Sequence, residues 1–558
     1  LVSGVNPYQI ISLASRKLKS INAGTYGIER KPLMWPHLPK NEAEIKALKE
    51  KVLTDRLVYG TYVSRDLAAA LITVDFISRQ MDYQKVYQEI SEVLDRHRAD
   101  GIELTVVGNP ILHGLIHSYL PETAILFVLS IGILGLLLFV FFMRSLRGTL
   151  IPILAAIITA IWALGISGLI GFNFDPLGVV IAFLITARVI SHSVQSVNRF
   201  DMMISEGLET SQAAAQASLG QLFKPGLLSV VTDSGGILVV ALAPIPLLQK
   251  SAIIGAIWVG CIAVTGVILT PVLLSWVRNP HKYAHPLNIT PLISGMLRSF
   301  SRLAVSRFRY IVFGVSMLLI VICAYFGSAI TIGDANPGSP LLWQESEYNV
   351  AVSEINSRFL GTDRMFVVIR GDEKDALKYP DVLNTMSRFQ RYVERQPEVG
   401  GTVSIADMIP QIKRVLYEDN PRFEETGRSK DVNGELFYVF LQGTDPGDLD
   451  RFCDVDYQTG SITLYFRDHK GSTIRTALAS MKDFAKNNPI AHAEYEFCGG
   501  LVGVLAAANE VIFSGQVESI ALALLVVLIT CSFTYYSGFA GLFFLIPILM
   551  SNTITFAY

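Results

Sequence analysis

The sequence predicts a polytopic α-helical membrane protein with two periplasmic α+β domains, ferredoxin-like and βαβ-containing, in an internally duplicated chain. Three observations predict it. Of 558 residues 51% are hydrophobic and 17% charged, with a mean hydropathy of +0.42, beyond what an ordinary soluble domain shows. Apolar stretches of roughly 20 residues recur, the length that crosses a bilayer. A strand-helix-strand block stands ahead of each membrane block, as an internally duplicated chain would show.

Residues 1–121 read as the first outer domain. Glu42 to Val52 is helix-prone, Ala68 to Ile77 reads as a strand, and Asp82 caps a helix whose Val86, Ile90, Val93 and Leu94 repeat at helical spacing. Ile102 to Val107 reads as another strand ended by Gly108, and a short helix Pro110 to Tyr119 leads to the membrane. Residues 122–277 hold five spans: Thr123 to Met143, Thr149 to Gly171, Pro176 to Asn198, Pro225 to Leu248 and Ser251 to Val277. A basic linker, 278–309, precedes a sixth span at 310–332. Residues 333–515 read as the second outer domain, with strands at Met365 to Arg370, Leu436 to Leu441, Ser461 to Phe466 and Ala493 to Cys498. Its helices start at Pro380 and after a cap at Ser472. Residues 516–558 open a second membrane block, with spans Ser519 to Tyr536 and Ala540 to Tyr558.

Loop charges orient the chain. Arg144 and Arg147, Arg199 and Lys224, and the basic linker fall in alternate loops, which the positive-inside tendency makes cytoplasmic. Both soluble domains are then outside. The halves also align: strand Ile72 to Val74, a helix, strand Leu104 to Val107 and Gly108 match strand Ile462 to Leu464, a helix, strand Tyr495 to Cys498 and Gly499-Gly500. A glycine at each junction is a hinge candidate, or a plain turn.

The chemistry concentrates in the third and fourth spans. Arg188 and His192 are four residues apart, with Ser191 and Gln195 on the same face. Asp233 lies in the next span beside Thr232, with Gly226, Ser229 and Gly236 on its side. At about 1.5 Å per residue, His192 is roughly 10 Å, Asp233 roughly 13 Å and Arg188 roughly 16 Å deep. An unpaired charge at that depth costs about 2.5 to 3.5 kcal/mol, so such groups face partners or water. Arg188, Ser191, His192 and Asp233 are therefore proton-relay candidates, with Gln195, Asn198 and Thr232 supporting. A fixed Arg188-Asp233 ion pair that only holds the helices together is the competing reading.

Other chemistries find little support. A net charge of −2 gives no argument for nucleic-acid binding, and the chain has no GxxxxGK[ST] phosphate loop. His113 and His117 lack the HExxH glutamate and a third ligand, so no metal and no cofactor is expected. Cys453 and Cys498 could form a disulfide if their domain is periplasmic; two free thiols fit the spacing as well.

The layout of outer domain, five spans, basic linker, one span, second outer domain and further spans resembles the resistance-nodulation-division superfamily of bacterial exporters. Its lipid and hydrophobe branch, with hopanoid and sterol transporters and the mycobacterial large membrane proteins, is similar in local motifs. Val189-Ile190-Ser191-His192 followed by Asn198-Arg199-Phe200 resembles the fourth-span motif, and Thr232-Asp233-Ser234-Gly235 the fifth-span element. The resemblance implies one span ahead of Leu1 and about three beyond Tyr558. It also implies proton-driven export of a lipid or other hydrophobic small molecule across the inner membrane. Periplasmic or outer-membrane partner proteins and a homo-oligomer go with it, and the protein is then a secondary transporter, not an enzyme. Where relatives carry a titrating acid, this chain has Ser191 and His192, so either His192 and Asp233 take over the proton or this branch is coupled otherwise. A non-transporting lipid-sensing or scaffold protein, and a protein-secretion accessory, share the architecture and remain alternatives.

Overall fold

A computed structural model describes residues 2–557 except 25, 26, 56, 78, 80, 142–145, 173–175, 279–289, 331, 443–447 and 498. The chain forms two compact units, Leu1–Leu120 with Thr331–Asn509, and Pro121–Ile330 with Glu510–Tyr558. The two outer segments, expected as separate domains, thus pack as one.

The first outer segment holds β1 (Val5–Ile11), β2 (Lys19–Gly24), β3 (Gly27–Pro32), α1 (Glu42–Thr54), β4 (Thr73–Phe76), α2 (Tyr83–His97) and α3 (Asn109–Ser118). Strands β1 and β4 pair antiparallel, as do β2 and β3. Asp82 caps α2, its side chain accepting from the backbone N–H groups of Gln84 and Lys85. The expected strand at Ala68 to Ile77 shortens to β4. The one at Ile102 to Val107 does not form; only an isolated bridge joins Ala99 and Ile102. Its alternating apolar residues stay exposed, Ile102 at 61% and Leu104 at 40%, because strand propensity is realised only against a neighbouring strand. The proposed repeat therefore lacks its second strand in the first half.

The membrane helices follow: α4 (Leu120–Phe141), α5 (Leu146–Leu169), α6 (Pro176–Ser205), α7 (Ser211–Val239) and α8 (Pro246–Ile262), which continues through a π-helical turn (Ala263–Leu269) into α9 (Thr270–Ser275). Helix α7 starts fourteen residues ahead of Pro225, which sits inside it. Its cap is Thr210, accepting from Ala213 N–H. The basic linker forms a further helix, α10 (Thr290–Val305), and α11 (Arg309–Gly327) is the sixth span.

The second outer segment contains α12 (Glu347–Arg358), β5 (Asp363–Gly371), α13 (Pro380–Val393), β6 (Val399–Val403), α14 (Ile405–Leu416), α15 (Lys430–Gln442), β7 (Thr459–Phe466), α16 (Gly471–Asn487) and β8 (Ala493–Phe497). The strands form one antiparallel sheet in the order β6-β7-β5-β8. Val367, Ile369, Ile462, Leu464 and Phe466 alternate onto its buried face, against Met386, Phe389, Phe437 and Met481. Leu436 to Leu441, expected as a strand, is helical. Leu436, Phe437 and Phe440 bury at helical spacing, and Asn433 fixes the first turn by donating to Lys378 O at 2.8 Å and accepting from Gly427 N–H at 2.8 Å. The cap of α16 is Lys470, not Ser472.

The chain closes with α17 (Gly500–Tyr535) and α18 (Gly538–Ala557). Among the described residues, eight helices are long and apolar enough to cross a membrane.

Candidate functional site

Helices α6 and α7 lie side by side, and Arg188 of α6 meets Asp233 of α7. Arg188 donates from Nε to Asp233 Oδ2 at 2.8 Å and from a terminal nitrogen to the same oxygen at 2.6 Å, with Ser229 Oγ at 3.3 Å from that nitrogen. The two side chains keep 49% and 28% of their surface open. In hydrocarbon such a charged face is costly, so it must meet water or protein.

Beside the pair lies a cavity of about 170 Å³, large enough for water, lined among others by Arg188, Ser191, His192, Gln195, Ser229 and Val267. His192 is half-buried one helical turn from Arg188. It is not bonded to either member of the pair, and among the described residues its ring makes no hydrogen bond. The expected three-membered cluster is thus one ion pair with a histidine across a shared cavity. Thr232 Oγ1 is buried without a hydrogen-bond partner among the described residues. Asn198 is exposed and lies outside the cavity.

The far wall is the π-helical turn, which sequence reasoning missed. Pro271 supplies no backbone N–H, and the ladder ahead of it re-registers to the wider i→i+5 pattern, a device that concentrates at functional sites. Gly266 makes the close approach possible: a Cβ there would come within 3.4 Å of His192 Cβ. Two buried hydroxyl contacts pin the turn, Thr159 to Thr265 at 2.6 Å and Ser193 to Thr270 at 2.9 Å. The signal was present in Thr265-Gly266 and Thr270-Pro271, but an apolar run with one proline reads the same for a plain kink.

The small residues on α7 differ in what they meet. Gly226 packs on Val267 and Gly235 on Val526 of α17, whereas Gly236 has nothing within 4 Å of an added Cβ.

Outside the membrane helices, the glycine junctions have left-handed or otherwise positive-φ backbone, and only Gly500 among them is close-packed. Gly108, Gly499 and Gly500 have φ of +133°, +81° and +74°, and a Cβ on Gly500 would lie 2.3 Å from Arg364 O. Cys453 is a buried thiol with no disulfide partner among the described residues, and it bridges to Gly460 at the start of β7; Cys498, considered as its partner, lies outside the described residues. Burial, then the charges of Asp454 and Asp450, push the Cys453 thiol up to about 12. Among the described residues no cluster of three His, Cys, Asp or Glu could hold a metal ion.

No protein-family model matches the chain. The chain is similar in part to multidrug resistance proteins. It is 26% identical over 173 residues to the multidrug resistance protein MdtC of Klebsiella pneumoniae, covering 31% of this chain and 17% of that protein. Against MdtC of Escherichia coli it is 25% identical over 193 residues, 34% of this chain and 18% of the relative. MJ1562 of Methanocaldococcus jannaschii, named as a membrane protein, is 23% identical over 198 residues, 35% of this chain and 50% of its own length. The chain thus spans half of one relative and under a fifth of the others. These likenesses support the resistance-nodulation-division resemblance in its general form and a multi-pass helical membrane protein.

Proposed function

We propose that the chain is the core of a proton-driven inner-membrane exporter of hydrophobic or amphiphilic molecules, lipids such as hopanoids or sterols among them. The observation that carries this reading is the double hydrogen bond of Arg188 to one oxygen of Asp233 beside a cavity that also holds His192. Protonating Asp233 would neutralise the acceptor and leave the guanidinium uncompensated between α6 and α7. The two helices would then favour a different packing, which is how a proton shifts a two-state equilibrium. His192 lines the cavity within reach of water and would pass the proton on.

The outer unit supports the reading through its topology. The order β5-α13-β6-β7-α16-β8, with α14 and α15 inserted between β6 and β7, and the sheet order β6-β7-β5-β8 support a ferredoxin-like split βαβ domain, proposed here to sit in the periplasm. The likeness to multidrug resistance proteins supports export over catalysis. A second reading, a non-transporting lipid sensor, is favoured by the directness of the Arg188-Asp233 pair, which would serve equally as a fixed brace.

The test is mass spectrometry of lipids retained by the whole protein after gentle extraction, compared with Asp233→Asn and with bulk membrane. Enrichment of one lipid class that changes in the variant supports coupled lipid export. Bulk phospholipid alone in both samples contradicts the lipid substrate.

A further inference from the structure

Within the outer unit, a cavity of about 370 Å³ lies between the turn 57–65 and the edge strand β6. Three arginines line it, Arg65, Arg395 and Arg467. None of the three side chains has a carboxylate partner among the described residues. The two acids in the lining are committed elsewhere. Glu394 Oε1 accepts from Thr402 N–H at 2.9 Å and its hydroxyl at 2.7 Å, and Asp407 Oδ2 from Ser404 N–H at 2.8 Å and Gln390 Nε2 at 2.6 Å. The cavity therefore offers unspent guanidinium donors and little free acceptor.

Its floor is the bulged edge of β6 packed on the Leu360 backbone. Strand β6 bulges between Val399 and Gly401, and a Cβ on Gly400 would fall onto the Leu360 backbone carbonyl, so only glycine fits there. Leu57, Leu360 and Val399 supply an apolar wall. A second cavity of about 200 Å³ shares Arg65 and Arg467 and brings in Arg358, which is paired with Asp66 at 3.5 Å.

We propose that this cavity binds the phosphate or carboxylate group of an amphiphile, with the anion on the arginine forks and the adjoining apolar part on Leu57 and Leu360. Planar guanidinium groups match such anions with two parallel hydrogen bonds. The proposal rests on the export reading for the identity of the ligand as cargo, and stands without it as a binding site.

The experiment is calorimetric titration of the full chain in neutral detergent with dihexanoyl phosphatidate, dihexanoyl glycerol and inorganic phosphate. Arg395→Gln, Arg467→Gln, Arg467→Lys and Asp233→Asn are run alongside. The expected result is phosphatidate binding that weakens by roughly tenfold or more in each glutamine variant, less in Arg467→Lys, and not in Asp233→Asn. Inorganic phosphate that binds as tightly as phosphatidate supports the anion site and assigns it to a free anion; phosphate that binds clearly more weakly assigns it to a lipid headgroup. Equal binding of the uncharged glycerolipid, or unchanged affinity in both glutamine variants, overturns the proposal. Because no proton gradient is present, this outcome is independent of whether Asp233 drives transport.

Discussion

Arg188 places both of its hydrogen bonds to Asp233 on one oxygen, Oδ2, at 2.8 and 2.6 Å. Oδ1 accepts no hydrogen bond among the described residues. A proton arriving at the carboxylate thus has a free oxygen to occupy without first displacing the arginine. That asymmetry distinguishes the pair from a bidentate clamp that uses both carboxylate oxygens.

The π-helical turn is held by hydroxyls that each carry one proton. Thr159 and Thr265 lie 2.6 Å apart, and each is also within reach of its own helix carbonyl, Ala155 O at 2.7 Å and Cys261 O at 2.9 Å. Thr159→Val and Thr265→Val should each lower stability by about 1 kcal/mol. The double variant should lose less than the sum, because the second substitution removes a partner already gone. Thermal unfolding of the detergent-solubilised protein measures this, and strict additivity would show that the hydroxyls do not interact.

His469 is a buried titratable group of the outer unit. Its Nδ1 lies 2.8 Å from Asp363 Oδ2 and its Nε2 3.4 Å from Asp334 Oδ2. Burial opposes the imidazolium, but the bond to Asp363 and the charges of Asp363 and Asp334 outweigh it and hold the group above its ordinary value of 6.5. A raised folded-state pKa contributes stability that is fully present below the unfolded value and is lost as pH rises through the folded one. The outer unit should therefore lose stability as pH climbs from about 6.5 upward, and His469→Gln should flatten that dependence. Melting temperatures across pH 5.5 to about 8.5 test the sign; stability rising over this range in the parent protein, and not in the variant, would reverse it.

Glycines at two places should respond oppositely to alanine. Gly500 has φ of +74° and a carbonyl 2.3 Å from the added Cβ, so Gly500→Ala should cost roughly 1 to 3 kcal/mol in backbone strain alone. Gly236 lies inside α7 with open space around it, so Gly236→Ala should stabilise by about 0.5 to 1 kcal/mol. Chemical denaturation of each variant reads both effects. A neutral Gly500→Ala would mean the junction bends freely, as a hinge does.

Much of this arrangement was legible because its signals are local or periodic. Asp82 at a cap, Val86 and Ile90 on one helix face, and apolar runs of bilayer length each declare themselves without a partner. Arg188 and Asp233 were legible for a different reason: charges are so expensive at that depth that matching heights implied contact. What failed depended on neighbours. Leu104 alternates like a strand residue but has no strand beside it, and Leu436 belongs to a helix whose buried face is set by packing on the sheet. The π-helical turn opposite His192 follows from Pro271 and the packing around Gly266, which no single-helix pattern records.

The most direct test of the central claim is energised efflux of Nile red from cells carrying the whole protein, compared with Asp233→Asn and Asp233→Glu at matched membrane abundance. The account predicts that Asp233→Asn falls to the rate seen when the proton gradient is collapsed, while Asp233→Glu, which keeps a titratable carboxyl near Arg188, retains part of it. Full efflux by a normally abundant Asp233→Asn protein would contradict the proton-handling role and leave the Arg188-Asp233 pair as a brace.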